Sequence, residues 1–185
     1  LQTNVFPQSP VVQQIINSVN QDSIIKFVRE LSGNVPTIIN GTSQTIVSRH
    51  KLQPGNALAE TYIKQKLQSY GLTTTIQSFS TTGKNVYGVQ PGTEFPNKKY
   101  IICAHFDDMP TGTTAPGADD NGSGTAAVIE AARIFKAHIT EKKVKLHHSH
   151  HDQIGIALQT FRDEENLAAL GDKGKVKLGP NDQRA

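Results

Sequence analysis

Imidazole and carboxylate side chains follow an apolar run at residues 100–104. His105, Asp107 and Asp108 come directly after this run, which is typical of a strand buried on both faces of a sheet. Residues two apart in a strand point to the same side, so Asp107 can accept a hydrogen bond from the imidazole of His105 and orient it toward a metal ion. Taken alone, a polar strand end capped by an aspartate explains this cluster equally well.

A second acidic cluster lies in the glycine-rich stretch 116–124, which carries Asp119 and Asp120. The stretch leads into residues 125–137, which are apolar nearly all round and predict a buried helix. We therefore expect both carboxylates close to the core, where they repel each other unless a cation or a proton intervenes. A bound metal ion provides that cation, although adjacent acids in glycine-rich turns are also common on protein surfaces.

A third cluster, Glu164 and Glu165, follows the predicted strand 154–161. One carboxylate could bind a metal ion while its neighbour acts as a base on an activated water molecule. Taken alone, the acidic first turn of a following helix is the simpler explanation. The three clusters together predict a site for zinc or a similar divalent ion, because mixed histidine and carboxylate ligands suit such ions.

The predicted helices and strands alternate, which indicates an α/β sheet with its sites at the carboxyl ends of the strands. Asn56 is expected to cap the third helix and Gly71 to end it, while residues 34–55 predict a long loop with a short extended piece at 45–47. The predicted helices cover residues 11–19, 24–31, 57–70 and 125–137, and the strands cover 73–80, 85–89, 100–104 and 154–161.

Composition excludes several classes of protein. The chain of 185 residues predicts one domain. A formal net charge of +3 without a clustered basic face argues against nucleic-acid binding, and no apolar run approaches the length of a membrane span. The single cysteine, Cys103, lies in the apolar run 100–104, where we expect an inert buried thiol.

Residues 100–108, followed by 116–133, strongly resemble the M28 family of zinc aminopeptidases, and the tripeptide 48–50 (Ser-Arg-His) and residues 56–71 are similar to the family's N-terminal part. This resemblance implies a three-layer helix/sheet/helix fold with a mixed, mostly parallel sheet, of the phosphorylase/hydrolase-like zinc peptidase type. It divides the single partial peptidase domain, residues 1–185, into an N-terminal extension at 1–19, a well-matched part and a poorly matched C-terminal segment at 138–185.

The resemblance also implies a role for each candidate residue. His105 would bind one zinc ion, Asp120 would bridge two zinc ions and precede a cis peptide bond, and Asp107 would orient His105. The family's Phe-x-x-Glu-Glu motif matches residues 161–165, so Glu164 would be the general base and Glu165 a ligand of the second zinc. The implied substrate is a peptide with a free N-terminus, and the implied location is secreted or periplasmic.

A departure from the family pattern leaves other hypotheses open. No histidine lies beyond His151, so we expect at least one zinc ligand, and the C-terminal part of the family domain, to be missing. One alternative is therefore a catalytically inactive remnant that folds by dimerisation through an exposed sheet edge or with a partner. The other is a glutaminyl cyclase-like single-zinc acyltransferase, whose acidic motif has one aspartate where this chain has Asp119 and Asp120.

Overall fold

A four-stranded sheet with helices against one face is the centre of the computed structural model, which describes residues 10–91, 99–140 and 153–159. A separate two-stranded hairpin joins the second helix to the third. The helices are α1 (Pro10–Asn17), α2 (Gln21–Leu31), α3 (Pro54–Ser69) and α4 (Gly124–Thr140), and the strands are β1 (Thr37–Ile39), β2 (Thr42–Gln44), β3 (Thr73–Ser78), β4 (Lys84–Gln90), β5 (Lys99–His105) and β6 (Gln153–Gln159).

The strand order in the larger sheet is β3-β4-β6-β5. The pairs β3–β4 and β4–β6 are antiparallel, whereas β5 and β6 run parallel, with His105 opposite Gln159. The sheet is therefore mixed, as predicted, but the expectation of a mostly parallel sheet is wrong for these four strands. The parallel pair matters for function, because it brings the carboxyl ends of β5 and β6 to the same edge.

Helices α3 and α4 cover one face of this sheet. Val86 of β4 is fully buried there, and Ile102 and Ala104 of β5 pack against the same core. On the opposite face Ile101 is 47% exposed and Cys103 is exposed. The predictions that the run 100–104 is buried on both faces and that Cys103 is a buried thiol are thus wrong, because no described element packs on this face. A second helical layer is likewise not found within residues 10–91, 99–140 and 153–159.

The segment 34–55, predicted to be a loop, contains the antiparallel hairpin β1–β2. Its two-residue turn is formed by Asn40 and Gly41, which have φ angles of 51° and 78°. An Asn-Gly pair is the strongest short sequence signal for such a turn, so this hairpin was predictable. The extended piece expected at residues 45–47 forms no strand.

Helix α3 begins earlier than its sequence pattern predicted. Pro54 occupies the first turn, where its fixed φ angle suits a helix start. Asn56, the predicted cap, lies inside the helix, and its buried side-chain amide donates a 2.8 Å hydrogen bond to the carbonyl oxygen of Arg49. The predicted stop is confirmed, because Gly71 follows the helix with a left-handed φ angle of 77°.

Helix α4 forms as predicted and packs against the sheet, with Ala126, Ile129 and Ala132 fully buried. In the part of the chain that the structure describes, no helix has both the length and the apolar character needed to cross a bilayer.

Candidate metal centre

His105 is the last residue of β5, and Asp107 contacts the Nδ1 atom of its imidazole. Nδ1 of His105 lies 3.1 Å from the carbonyl oxygen of Asp107 and 3.3 Å from its Oδ1 atom. Both neighbours are hydrogen-bond acceptors, so Nδ1 must carry the proton. In the neutral imidazole this leaves Nε2 with only a lone pair, directed away from Asp107.

Asp120 is presented by the turn Ala118–Ser123, which leads into α4. The peptide bond between Asp120 and Asn121 is cis, as the resemblance implied. The backbone of both residues departs from helical geometry, with φ and ψ of −101° and 96° at Asp120. The side-chain oxygen of Asn121 then accepts a 2.9 Å hydrogen bond from the backbone N–H of Gly124, which satisfies a free donor at the start of α4.

The two segments meet where Nε2 of His105 lies 3.2 Å from Oδ1 of Asp120. When Nδ1 carries the proton, two acceptor atoms face each other across this distance, and a cation between them satisfies both. An imidazole nitrogen and a carboxylate oxygen are also the donor types that zinc takes in proteins. The residues present therefore fit part of a zinc site.

Asp119 and Asp120 do not lie near the core, contrary to the sequence prediction. Both residues are exposed, and the side chain of Asp120 is 59% exposed. The two acids lie in the exposed part of the turn, and the first buried residues after them are Gly122 and Thr125. The exposure leaves the Asp120 carboxylate open to a metal ion from the solvent side.

Asp107, in contrast, is only 1% exposed. Burial raises its pKa to about 6, while the charges of His105 and Arg49 and the hydrogen bond from His105 oppose that rise. Its Oδ2 atom has no hydrogen-bond partner among the residues that the structure describes. Asp107 is thus inaccessible to a substrate, and its position suits the predicted role of orienting His105.

Glu164 and Glu165 lie outside the described residues. Within those residues no group of three or more histidine, cysteine, aspartate or glutamate side chains could hold a metal ion. The structure therefore places His105, Asp107 and Asp120 together, and the roles predicted for Glu164 and Glu165 stay predictions. Strand β6 ends at Gln159 beside His105, shortly before the two glutamates in sequence.

Two residues that support the site carried no recognisable chemical signal in the sequence. Thr125 is fully buried at the start of α4, and its hydroxyl donates a 3.1 Å hydrogen bond to the carbonyl oxygen of His105. Arg49, seen in the sequence only as part of a family-like tripeptide, is fully buried beside both ligand-bearing segments. Their partners are distant in sequence, so no local pattern indicates these contacts.

A mixed sheet with a His–Asp pair at its carboxyl edge defines an α/β protein with a candidate metal centre. The model of peptidase family M28 matches residues 85–177, about half of the chain. The chain belongs to this family, which confirms the resemblance.

Curated relatives extend the similarity beyond that match. A probable zinc metalloprotease of Pyrenophora teres f. teres (strain 0-1) is 28% identical over 160 residues, covering 72% of this chain and 33% of the relative. Aminopeptidase YwaD of Bacillus subtilis (strain 168) is 28% identical over 128 residues, covering 68% of this chain and 24% of the relative. The chain thus spans about a third or less of the length of these relatives.

The fold is also similar to a solved structure of glutaminyl cyclase from Porphyromonas gingivalis. The TM-score is 0.57 at 17% sequence identity, covering 81% of this chain and 50% of that chain. At this identity the similarity shows the α/β fold alone.

Proposed function

We propose that the protein is a zinc-dependent aminopeptidase that hydrolyses N-terminal peptide bonds at a two-zinc centre. The observation that carries the proposal is the 3.2 Å approach of His105 Nε2 to Asp120 Oδ1, with Asp107 behind the imidazole. Membership of peptidase family M28 supports a peptidase, and the names of the two curated relatives support zinc and aminopeptidase activity.

When bound, zinc supplies Lewis acidity, which polarises the scissile carbonyl group and lowers the pKa of a water molecule. His105 and Asp120 would hold the metal, and Asp107 would keep the imidazole in the required tautomer and orientation. Glu164 would take a proton from the attacking water and deliver it to the leaving amine. Glu165 would be a ligand of the second zinc. The substrate would be a peptide with a free α-amino group.

The test combines metal analysis with hydrolysis of aminoacyl-p-nitroanilides by the purified chain. We expect bound zinc and hydrolysis in the wild type, and loss of hydrolysis in Asp120→Ala and Glu164→Ala. Asp119→Asn is the matched control, because Asp119 is the exposed neighbour of Asp120 and has no assigned role. Zinc binding and activity that survive in Asp120→Ala would overturn the proposed centre.

A glutaminyl cyclase-like acyltransferase is the second candidate, because its fold is shared. Cyclisation of an N-terminal glutaminyl peptide without hydrolysis of aminoacyl-p-nitroanilides would favour it. The paired acids Asp119 and Asp120 argue for the peptidase, since the cyclase motif has one aspartate there. Absence of both zinc binding and activity would instead support an inactive remnant. Dimerisation through a sheet edge and export from the cytoplasm stay predictions.

A further inference from the structure

Arg49 is a fully buried arginine that lies between the two segments carrying His105 and Asp120. It precedes α3, and its guanidinium donates hydrogen bonds to four backbone carbonyl oxygens. The distances are 2.7 Å from Nε to Phe106, 2.6 Å from Nη1 to Leu31 and 2.6 Å from Nη2 to Gly117, and Nη1 also donates to Pro116.

These acceptors belong to three separate segments of the chain. Phe106 lies between His105 and Asp107, and Gly117 lies just ahead of Asp120. Leu31 ends α2, where the last helical carbonyl groups have no partners within the helix. One side chain therefore ties both candidate ligand segments to each other and to the end of a helix.

The backbone of Arg49 adds further ties to the same segments. Its N–H donates a 2.8 Å hydrogen bond to the carbonyl oxygen of Ala115, and its carbonyl oxygen accepts from the N–H of Asp108 at 3.4 Å. The side-chain amide of Asn56 donates to that same carbonyl at 2.8 Å, which fixes Arg49 to α3.

The fit between Arg49 and the turn before Asp120 is close. Gly117 has a left-handed φ angle of 46°, and an added Cβ atom would lie 2.7 Å from Nη2 of Arg49 and 2.5 Å from Oδ2 of Asp108. Only glycine suits this position, because other residues both clash and disfavour the backbone conformation. The turn is therefore shaped around the guanidinium.

An arginine is required here for a geometric reason. The planar guanidinium offers five donors in a fixed fork, whereas lysine offers three donors on one nitrogen and cannot reach carbonyl groups on several sides. Burial lowers the pKa of Arg49, and the charges of Asp108, Asp107 and Asp120 oppose this. Arg49 thus remains positively charged beside the acids, while its guanidinium donates its hydrogen bonds to backbone carbonyl oxygens.

We infer that Arg49 is a positioning residue of the metal centre: it fixes the separation of His105 and Asp120, so that zinc affinity depends on its fork of donors. This inference rests on the proposed zinc site. Arg49 acts through the backbone, because its hydrogen bonds join the segment that follows His105 to the segment that precedes Asp120.

The experiment compares Arg49→Lys and Gly117→Ala with the wild type in the full chain. Zinc affinity is measured by competition with a colorimetric chelator, and the ligand geometry is read from the visible absorption of the cobalt(II)-loaded chain. We expect zinc affinity to fall about 10–100-fold in both variants, as for other supporting residues of metal sites, and the cobalt bands to shift. Gly117→Ala retains the cation, and its added Cβ atom would clash with Nη2 of Arg49, Oδ2 of Asp108 and the carbonyl oxygen of Asp120. It therefore displaces the turn from the guanidinium, and it tests the inference even if Arg49→Lys does not fold.

Two controls separate positioning from general loss of stability. Tyr62→Phe weakens a buried contact between α2 and α3 away from the centre, and Arg29→Lys alters an exposed arginine of α2. Both should retain wild-type zinc affinity and cobalt spectrum. Wild-type affinity in either folded Arg49→Lys or Gly117→Ala would overturn the inference. Unchanged affinity in His105→Ala and Asp120→Ala would instead overturn the zinc site itself.

Discussion

Oδ1 of Asp107 lies 3.3 Å from Nδ1 of His105, and the aspartate that makes this contact is 1% exposed. Because the carboxylate selects the imidazole tautomer that leaves Nε2 free, its effect should be on metal binding. We predict that Asp107→Asn lowers zinc affinity about 10–100-fold. Competition with a chelator measures this, and the unfolding temperature of the metal-free chain should not fall.

The matched control is Asp119→Asn, which removes an equal charge from the exposed turn beside Asp120. It should change zinc affinity far less than Asp107→Asn. Equal affinities for the two variants would show that Asp107 contributes only charge and does not orient His105.

The hydroxyl of Thr125 links the start of α4 to the end of β5 through the carbonyl oxygen of His105, at 3.1 Å. Thr125→Val keeps the shape of the side chain but leaves that carbonyl without this donor. We predict a loss of about 1 kcal/mol in the free energy of unfolding, as for a typical buried hydrogen bond. Urea denaturation measures it.

Thr61→Val is the comparison for that measurement, since its hydroxyl bonds to the Ala57 carbonyl oxygen within the same helix and is exposed. It should cost less than Thr125→Val. If the two variants lose the same free energy of unfolding, the hydrogen bond between α4 and β5 contributes no more than an exposed one within a helix.

Local patterns in the sequence were sufficient to predict the elements that carry the site. The apolar run before His105 forms strand β5, and the glycine-rich stretch before α4 forms a turn, both where the sequence predicted them. The hairpin at Asn40 and Gly41 was missed although its turn signal is local. Exposure of Cys103 could not be predicted, because it depends on which elements pack on the second face of the sheet.

The supporting contacts of the site could not be read from the sequence for a different physical reason. Arg49 donates to carbonyl groups of Phe106 and Gly117, and carbonyl groups are present at every residue. No side-chain pattern marks which carbonyl will accept. Asn56 shows the same effect, because the predicted helix cap instead donates to the backbone of Arg49.

Tyr62 of α3 donates a 2.6 Å hydrogen bond to Oε2 of Glu30 in α2, and both residues are buried. Burial, together with the hydrogen bond and the charge of Glu30, raises the pKa of Tyr62, so it remains a neutral donor. We predict that Tyr62→Phe lowers the free energy of unfolding by about 1.5–3 kcal/mol, the range for a hydrogen bond to a charged group.

A double-mutant cycle with Glu30→Gln isolates that interaction. Urea denaturation of the two single variants and the double variant should give a coupling energy of at least about 0.5 kcal/mol between Tyr62 and Glu30. Additive losses would show that the two residues stabilise the fold independently, for example because Glu30 also accepts a hydrogen bond from Thr37 of β1 through its other oxygen.

Glu130 of α4 gives the chain a defined acid dependence of stability. Its side chain is 2% exposed, and it accepts hydrogen bonds from Arg133 at 2.6 and 2.9 Å and from the N–H of Asn20 at 2.7 Å. Burial by itself would raise the pKa of Glu130, but the hydrogen bonds from Arg133 and Asn20 and the charge of Arg133 outweigh it. The pKa is lowered from 4.5.

The sign of the effect follows from that direction. A carboxyl whose pKa is lower in the folded than in the unfolded chain stabilises the fold fully above pH 4.5, the unfolded value, and loses this contribution as the pH falls through the folded pKa. The difference in unfolding free energy between the wild type and Glu130→Gln should therefore be largest at neutral pH and shrink below pH 4.5. Urea denaturation at several pH values, with the exposed Asp22→Asn as control, measures this. A difference that is independent of pH would mean that the Glu130 charge does not contribute, and that only the shape of the side chain holds α4 to the segment before α2.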